Sequence, residues 1–134
     1  MQDFASKSMA IEDGRPRYLT AEDGYSRLEL DLECTVDEAA ELVDEAINYC
    51  RENGERLLLA DIFRVRGFAP PNVVKRLLII ERSAESAKGQ VKMAMVATRE
   101  MIDREKIGIT MAQNRGFEPE IFDNEAEALR WLRD

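Results

Sequence analysis

A chain of 134 residues, 45% of them hydrophobic, is long enough for one globular domain with its own core and too apolar for a disordered chain. Its formal net charge of −8 opposes non-specific binding to nucleic acid and to anionic membranes. The absence of histidine excludes a Ser-His-Asp triad and the usual zinc ligand.

The sequence shows no targeting signal and no membrane span. Residues 1–10 lack a basic region followed by an apolar run, and no apolar stretch approaches the roughly 20 residues that a spanning helix needs. The two cysteines, Cys34 and Cys50, do not form a Cys-x-x-Cys motif, and we expect both to be small buried residues in a reducing compartment. We therefore expect a cytoplasmic protein without membrane insertion.

The pattern predicts a single α/β domain over residues 17–134, preceded by a polar arm over residues 1–16. Predicted elements follow the order β-β-α-β-α-β-α-β-α. Strands that alternate with helices are typical of βαβ units with right-handed crossovers. The expected architecture is a mixed, mostly parallel sheet with helices, about four in all, on both of its faces.

The domain begins with a predicted hairpin. Asp23-Gly24 separates predicted strands over residues 17–21 and 25–33, and Asp-Gly between two such runs is a strong turn signal. In the second strand leucines alternate with charged residues, which predicts one buried face and one solvent-exposed face. The leucines are Leu28, Leu30 and Leu32.

A capping box predicts the start of the first helix. Thr35 and Glu38 have the spacing at which each side chain can bond the backbone amide of the other, and Asn53-Gly54 is a usual helix end. The acidic residues Glu38, Glu41, Asp44 and Glu45 are assigned to a solvated outer face. The predicted inward stripe consists of Val36, Ala39, Ala40, Val43, Ala46, Ile47 and Cys50.

The stretch at residues 57–62 predicts the central strand. It is almost continuously apolar and lies between turn signals, which favours a parallel strand covered on both faces. A second helix is predicted over about residues 71–87, with Pro70-Pro71 in its first turn. Its expected apolar face consists of Val73, Val74, Leu77, Leu78, Ile80, Ala84 and Ala87.

Four further elements complete the prediction. A second buried strand is expected over residues 91–97, and Thr98 caps a third helix over about residues 99–115. Residues 118–122 form a short strand that Pro119 assigns to a sheet edge. Asp123 or Asn124 caps the final helix, with Trp131 beside an inward stripe of Ala126, Leu129 and Leu132.

Two segments resemble the STAS superfamily, the fold of bacterial anti-sigma-factor antagonists. The first is Leu57-Leu58-Leu59-Ala60-Asp61 followed by Gly67-Phe68, and the second is residues 121–132, which end in Ala-Leu-x-Trp-Leu. More closely, the chain resembles a group of small bacterial proteins related both to STAS domains and to the CRAL-TRIO lipid-transfer fold.

This resemblance implies a non-catalytic regulatory module that binds another protein and needs no cofactor. A homodimer is a further expectation. The alternative function is a carrier or sensor of a small apolar or lipid-like ligand. An enzyme is not expected, because the sequence contains no glycine-rich phosphate loop, nucleophile elbow or metal-ligand spacing.

Candidate binding residues follow the central strand, because ligands and partners of open α/β sheets bind beyond the carboxyl ends of the strands. Asp61 is either a polar anchor of a ligand site or a loop-capping carboxylate that bonds nearby amides or pairs with Arg64 or Arg66. The basic residues there could bind an anion, a lipid phosphate or a partner's carboxylate, or could simply be solvated. The candidates are Asp61, Phe63, Arg64, Arg66, Phe68, Pro70, Pro71, Lys75 and Arg76.

A phosphorylation switch is not expected in this region. In anti-sigma-factor antagonists, the serine phosphorylated by the partner kinase lies at the start of the helix after the central strand, and the added charge would disrupt an interface. Residues 61–82 contain neither serine nor threonine.

We predict that phosphopeptide mapping of the chain purified from its own host will find no phosphate between residues 61 and 82. Kinase treatment in vitro should likewise leave this segment unmodified, because it has no hydroxyl acceptor. A phosphopeptide that maps to the segment would contradict the prediction.

Overall fold

The computed structural model describes residues 11–12, 15–67, 69, 71–102 and 118–134. The strands are β1 (Ile11–Glu12), β2 (Arg15–Pro16), β3 (Leu19–Ala21), β4 (Ser26–Glu29), β5 (Leu57–Asp61), β6 (Lys92–Val96) and β7 (Glu118–Phe122). The helices are α1 (Val36–Glu52), α2 (Val73–Ala87), α3, which is described over 99–102, and α4 (Glu125–Arg133).

The main sheet has five strands in the order β3-β4-β5-β6-β7. β3 is antiparallel to β4, and the three remaining pairs are parallel. The predicted mixed, mostly parallel α/β fold is therefore confirmed. β7 is an edge strand of the described sheet, as predicted. Because no further described strand pairs with it, the missing N–H of Pro119 costs no hydrogen bond on that side.

β5 is the central strand and contributes to two cores. Leu58 and Ala60 pack into the core under α1 and α2, whereas Leu59 packs into the core under α4. All three residues are fully buried. The alternation follows from the strand period of two, and it confirms the predicted strand that is apolar on both faces.

The predicted capping box of α1 is present. The Thr35 hydroxyl accepts a hydrogen bond from the Glu38 amide at 3.1 Å, and the Glu38 carboxylate accepts one from the Thr35 amide at 2.8 Å. The helix is capped at its end by Asn53, as predicted. Its most deeply buried side chains include Ala46, Ile47 and Cys50.

Asp44 corrects the prediction that all acidic residues of α1 face solvent. It is 3% exposed and faces α2. The Ser83 hydroxyl donates to Asp44 Oδ1 at 2.9 Å, and Arg82 Nε lies 2.8 Å from Asp44 Oδ2. A buried carboxylate requires such partners, so this polar contact helps to determine how α1 and α2 pack.

The apolar face predicted for α2 is wrong in two positions. Val74 and Leu78 are 68% and 58% exposed. The predicted residues Ile80, Ala84 and Ala87 do pack in or against the core, and Arg76 and Ser83, which were not predicted to face inward, are buried as well. The buried side of α2 therefore agrees with the prediction in the second half of the helix and differs from it in the first turns.

The start of α2 also differs from the prediction. Asn72 is the N-cap, and its side-chain oxygen accepts a hydrogen bond from the Lys75 amide at 2.8 Å. Pro71 thus precedes the cap instead of lying in the first turn, while Pro70 lies outside the described residues. The side chain of an N-cap residue accepts a hydrogen bond from an amide of the first turn. Asn72 has such an acceptor and Pro71 does not, which favours a helix start at Val73.

The other elements agree with the prediction in most details. Leu28, Leu30 and Leu32 are buried, although β4 itself ends at Glu29. The Thr98 hydroxyl caps the start of α3 by accepting from the Met101 amide at 3.3 Å, and the predicted continuation to residue 115 lies outside the described residues.

α4 needs one correction. Its N-cap is Asn124, whose side-chain oxygen accepts from the Glu127 amide at 2.9 Å. The predicted inward residue Ala126 is exposed, and Ala128 is buried together with Leu132. The described helices include none with the length and apolar character that crossing a membrane requires.

β2, at the end of the predicted arm, contacts the domain. β1 and β2 form a two-residue antiparallel ladder. Arg15 lies with its guanidinium carbon 5.0 Å from the centre of the Tyr49 ring and binds Glu55 at 2.5 Å. Residues 1–10 of the predicted arm lie outside the described residues.

Gly67 lies where two loops approach closely. Its φ is +104°, and a Cβ added there would lie 2.5 Å from Glu33 Cγ and 3.3 Å from the backbone N and O of Cys34. The two loops are also joined by a hydrogen bond from the Cys34 amide to the Arg66 carbonyl at 2.8 Å. The segment after β5 is therefore attached to the loop after β4.

We expect Asp44→Asn to change how stability depends on pH. Burial raises the pKa of Asp44, and Glu41 raises it further, while the Ser83 hydrogen bond and Arg82 lower it. The native carboxyl thus holds its proton more tightly than the unfolded one, and its contribution to stability is lost as the pH rises through the native pKa.

Acidification from pH 7 towards about pH 4 should therefore stabilise the parent protein relative to Asp44→Asn. Urea unfolding of both proteins at several pH values gives this difference in the free energy of unfolding. The prediction fails if the difference does not change with pH.

We also expect Gly67→Ala to be more destabilising than Gly54→Ala. Both residues have positive φ, but a Cβ at Gly54 would meet no atom within 4 Å. Gly54→Ala should therefore cost about 1 kcal/mol of backbone strain, and Gly67→Ala about 2–4 kcal/mol because the Glu33–Cys34 contact must also shift. Equal losses in urea unfolding would show that the close approach is unimportant.

Candidate functional site

Asp61 ends the central strand and organises the turn that follows. Its Oδ1 accepts a hydrogen bond from the Phe63 amide at 3.1 Å, and its Oδ2 lies 3.3 Å from Arg27 Nη2. The geometry agrees with a loop-capping carboxylate that bonds a nearby amide. Its ion-pair partner, however, is Arg27 and neither Arg64 nor Arg66.

Arg27 was not among the predicted site residues. Its guanidinium contacts three carboxylates: Glu29 at 3.3 Å, Asp61 at 3.3 Å, and Glu125. These belong to β4, β5 and the first turn of α4, so one side chain joins three elements. Alternation along β4 could have shown which sheet face Arg27 occupies, but no local sequence signal indicates these partners.

The predicted basic residues have different surroundings. Arg66 Nη1 donates to Asp31 Oδ1 at 2.9 Å and to the Arg64 carbonyl at 2.7 Å. Lys75 Nζ lies 2.7 Å from Asp37 Oδ1, and Arg76 is 8% exposed. The Arg64 side chain is exposed and makes no hydrogen bond or ion pair with other described residues. Acidic neighbours thus partly neutralise this region.

Exposed apolar side chains lie in the same part of the chain. Phe63 is 45% exposed, and it accompanies the exposed Val74 and Leu78. Val74 and Leu78 are four residues apart and so are neighbours on one side of α2. Pro71 is half-buried. The candidates Phe68 and Pro70 lie outside the described residues.

A cleft lies at the opposite, amino-terminal ends of the parallel strands. This cleft has a volume of about 810 Å³ and is lined by the turns β3–β4, α1–β5 and α2–β6, by Arg15, and by the end of α4. We call it the amino-terminal cleft. Its residues were not among the predicted site residues, because ligands of open α/β sheets usually bind at the carboxyl ends of the strands.

Glu55 organises the floor of this cleft. One carboxylate oxygen binds Arg15, and the other accepts a hydrogen bond from the Ser26 hydroxyl. The fully buried Cys50 lies beside this group. Burial, countered by the Ser26 hydrogen bond, raises the pKa of its thiol to about 11, so the thiol is protonated and unreactive at neutral pH.

Metal chemistry has no support in the part of the chain that the structure describes. No group of three or more His, Cys, Asp or Glu residues there could hold a metal ion. The carboxylates around Arg27 are bound to that cation.

No family model and no curated protein matches the chain. Among solved structures, the crystal structure of an anti-sigma factor antagonist from Mycobacterium paratuberculosis is similar, with a TM-score of 0.58 and 19% sequence identity. The likeness covers 87% of this chain and 92% of that chain. The fold expected from the STAS resemblance is therefore confirmed: this chain has the α/β fold of an anti-sigma factor antagonist.

Proposed function

We propose that the chain is a non-catalytic module that binds a partner protein through the outer side of the first turns of α2, here called the α2 face, which carries Val74 and Leu78. The large hydrophobic side chains that are exposed in the described residues are Phe63, Val74 and Leu78. Val74 and Leu78 are four residues apart and are therefore neighbours on one side of α2. Neighbouring exposed apolar side chains are typical of interaction sites.

The packing of α2 supports this proposal. Arg76, Ser83 and Ala87 occupy its buried side. That orientation leaves Val74 and Leu78 in water, although burial of a Val or Leu side chain is favourable by about 1.5–3 kcal/mol. A partner that covers the α2 face would recover part of this free energy.

The similar solved protein supports the class of partner. It is named an anti-sigma factor antagonist, which suggests that this chain also acts by binding a regulatory protein. Because residues 61–82 lack serine and threonine, we propose that binding at this surface is not switched by phosphorylation of that segment.

The site chemistry favours binding over catalysis. Asp61 is engaged by Arg27 and the Phe63 amide, and Cys50 is buried and protonated. The alternative of a carrier for an apolar ligand would be favoured by an apolar cavity under α2 and α3. No observation on the described residues favours it.

We expect Val74→Asp combined with Leu78→Asp to weaken partner binding at least about tenfold, since charges would replace apolar contacts at the centre of the interface. The partner is first identified by crosslinking in host lysate, and its affinity for each variant is then measured by calorimetry with the purified protein. Urea unfolding checks that the variant folds.

Ala126→Asp is the matched control, because Ala126 is an exposed residue on α4, on the other side of the sheet. This control should bind the partner as the parent does. Unchanged affinity of the α2 variant, or an equal loss in both variants, would refute the proposal. If the captured partner is a second copy of the chain, the same variants apply to the homodimer.

A further inference from the structure

The amino-terminal cleft has the dimensions of a ligand site. Its volume of about 810 Å³ lies within the range of roughly 300–1,000 Å³ that is usual for small-molecule pockets. It lies at the end of the sheet opposite to the start of α2, so it is not part of the α2 face.

Basic side chains converge on the cleft. Arg15, Arg56, Lys92 and Arg133 all line it, together with the carboxylates of Glu22, Glu55 and Asp134. The C-terminal dipole of a helix would account for Arg133, which lies in the last turn of α4. It does not account for Arg15 and Lys92, which belong to strands β2 and β6.

Several hydrogen-bond donors that line the cleft remain unused. Both oxygens of Glu55 are occupied. The Arg15 Nη1 atom is buried and has no hydrogen-bond partner among the described residues. The Arg56 side chain is exposed and makes no hydrogen bond or ion pair with any described residue. Lys92 and Arg133 each donate one hydrogen bond to a backbone carbonyl among the described residues, which leaves further N–H groups.

Aromatic rings hold three of these cations in position. Lys92 Nζ lies 4.4 Å from the centre of the Trp131 ring, and the Arg133 guanidinium carbon lies 5.2 Å from that of Tyr25. Arg15 lies over Tyr49 in the same way. Cations fixed in advance lose less conformational entropy when a ligand binds.

We infer that the amino-terminal cleft binds a small polyvalent oxyanion, one that carries two or more carboxylate or phosphate groups. Several separated guanidinium and ammonium groups can each bind a different charged acceptor. They therefore suit a ligand that carries several such acceptors better than they suit a monovalent ion. This inference does not depend on the proposed protein partner.

Calorimetric titration with pyrophosphate and with citrate, at ionic strength held constant with sodium chloride, tests the inference. Arg56→Gln and Arg64→Gln form a matched pair, because both arginines are exposed and neither side chain has a described partner. Arg56 lines the cleft, whereas Arg64 follows the carboxyl end of β5.

We expect the parent protein to bind at least one probe in a 1:1 complex, Arg56→Gln to bind it about tenfold more weakly, and Arg64→Gln to bind it as the parent does. Preference for pyrophosphate or for citrate would identify the acceptor chemistry. The inference is overturned if the parent binds neither probe, or if the two variants weaken binding equally, since general charge would then explain the effect. Arg56→Gln should retain partner binding at the α2 face, which separates the two proposals.

Discussion

The fold depends on one strand that is buried on both sides. β5 pairs in parallel with β4 and β6, and its alternating side chains fill the core under α1 and α2 and the core under α4. A strand in this position can tolerate few polar groups along its length. Polar side chains therefore lie at its two ends. Asp61 organises the loop that follows the strand, and Glu55, which precedes the strand, organises the amino-terminal cleft.

The sequence was sufficient for the order of the elements from β3 onwards, because periodicity and caps are local signals, but the short β1–β2 ladder in the predicted arm was not predicted. Thr35 and Glu38 mark the start of α1, and the apolar run at residues 57–62 marks the central strand. The orientation of α2 was not predictable in the same way. Its first turns are apolar on nearly every side, so the hydrophobic pattern selects no face. The contact of Ser83 and Arg82 with Asp44 joins positions 38 and 39 residues apart, and no local pattern indicates it.

The candidate site shows the same division between local and long-range information. The capping role of Asp61 involves an amide two residues away and was one of the predicted alternatives. The partner of Asp61 is Arg27, 34 residues earlier on the neighbouring strand, where only strand pairing brings the two together. The residues gathered around the amino-terminal cleft come from five separate segments, so their meeting could not be inferred from spacing.

The contacts of Arg15 connect β2 to the amino-terminal cleft. Its guanidinium holds β2 against Tyr49 and shares Glu55 with the Ser26 hydroxyl of β4. A displacement of β2 would therefore change the contacts of Glu55 in the amino-terminal cleft. Displacement of Arg15 would leave the half-buried carboxylate of Glu55 without its counter-charge. The start of the domain and the shape of the cleft are thus coupled through a single carboxylate.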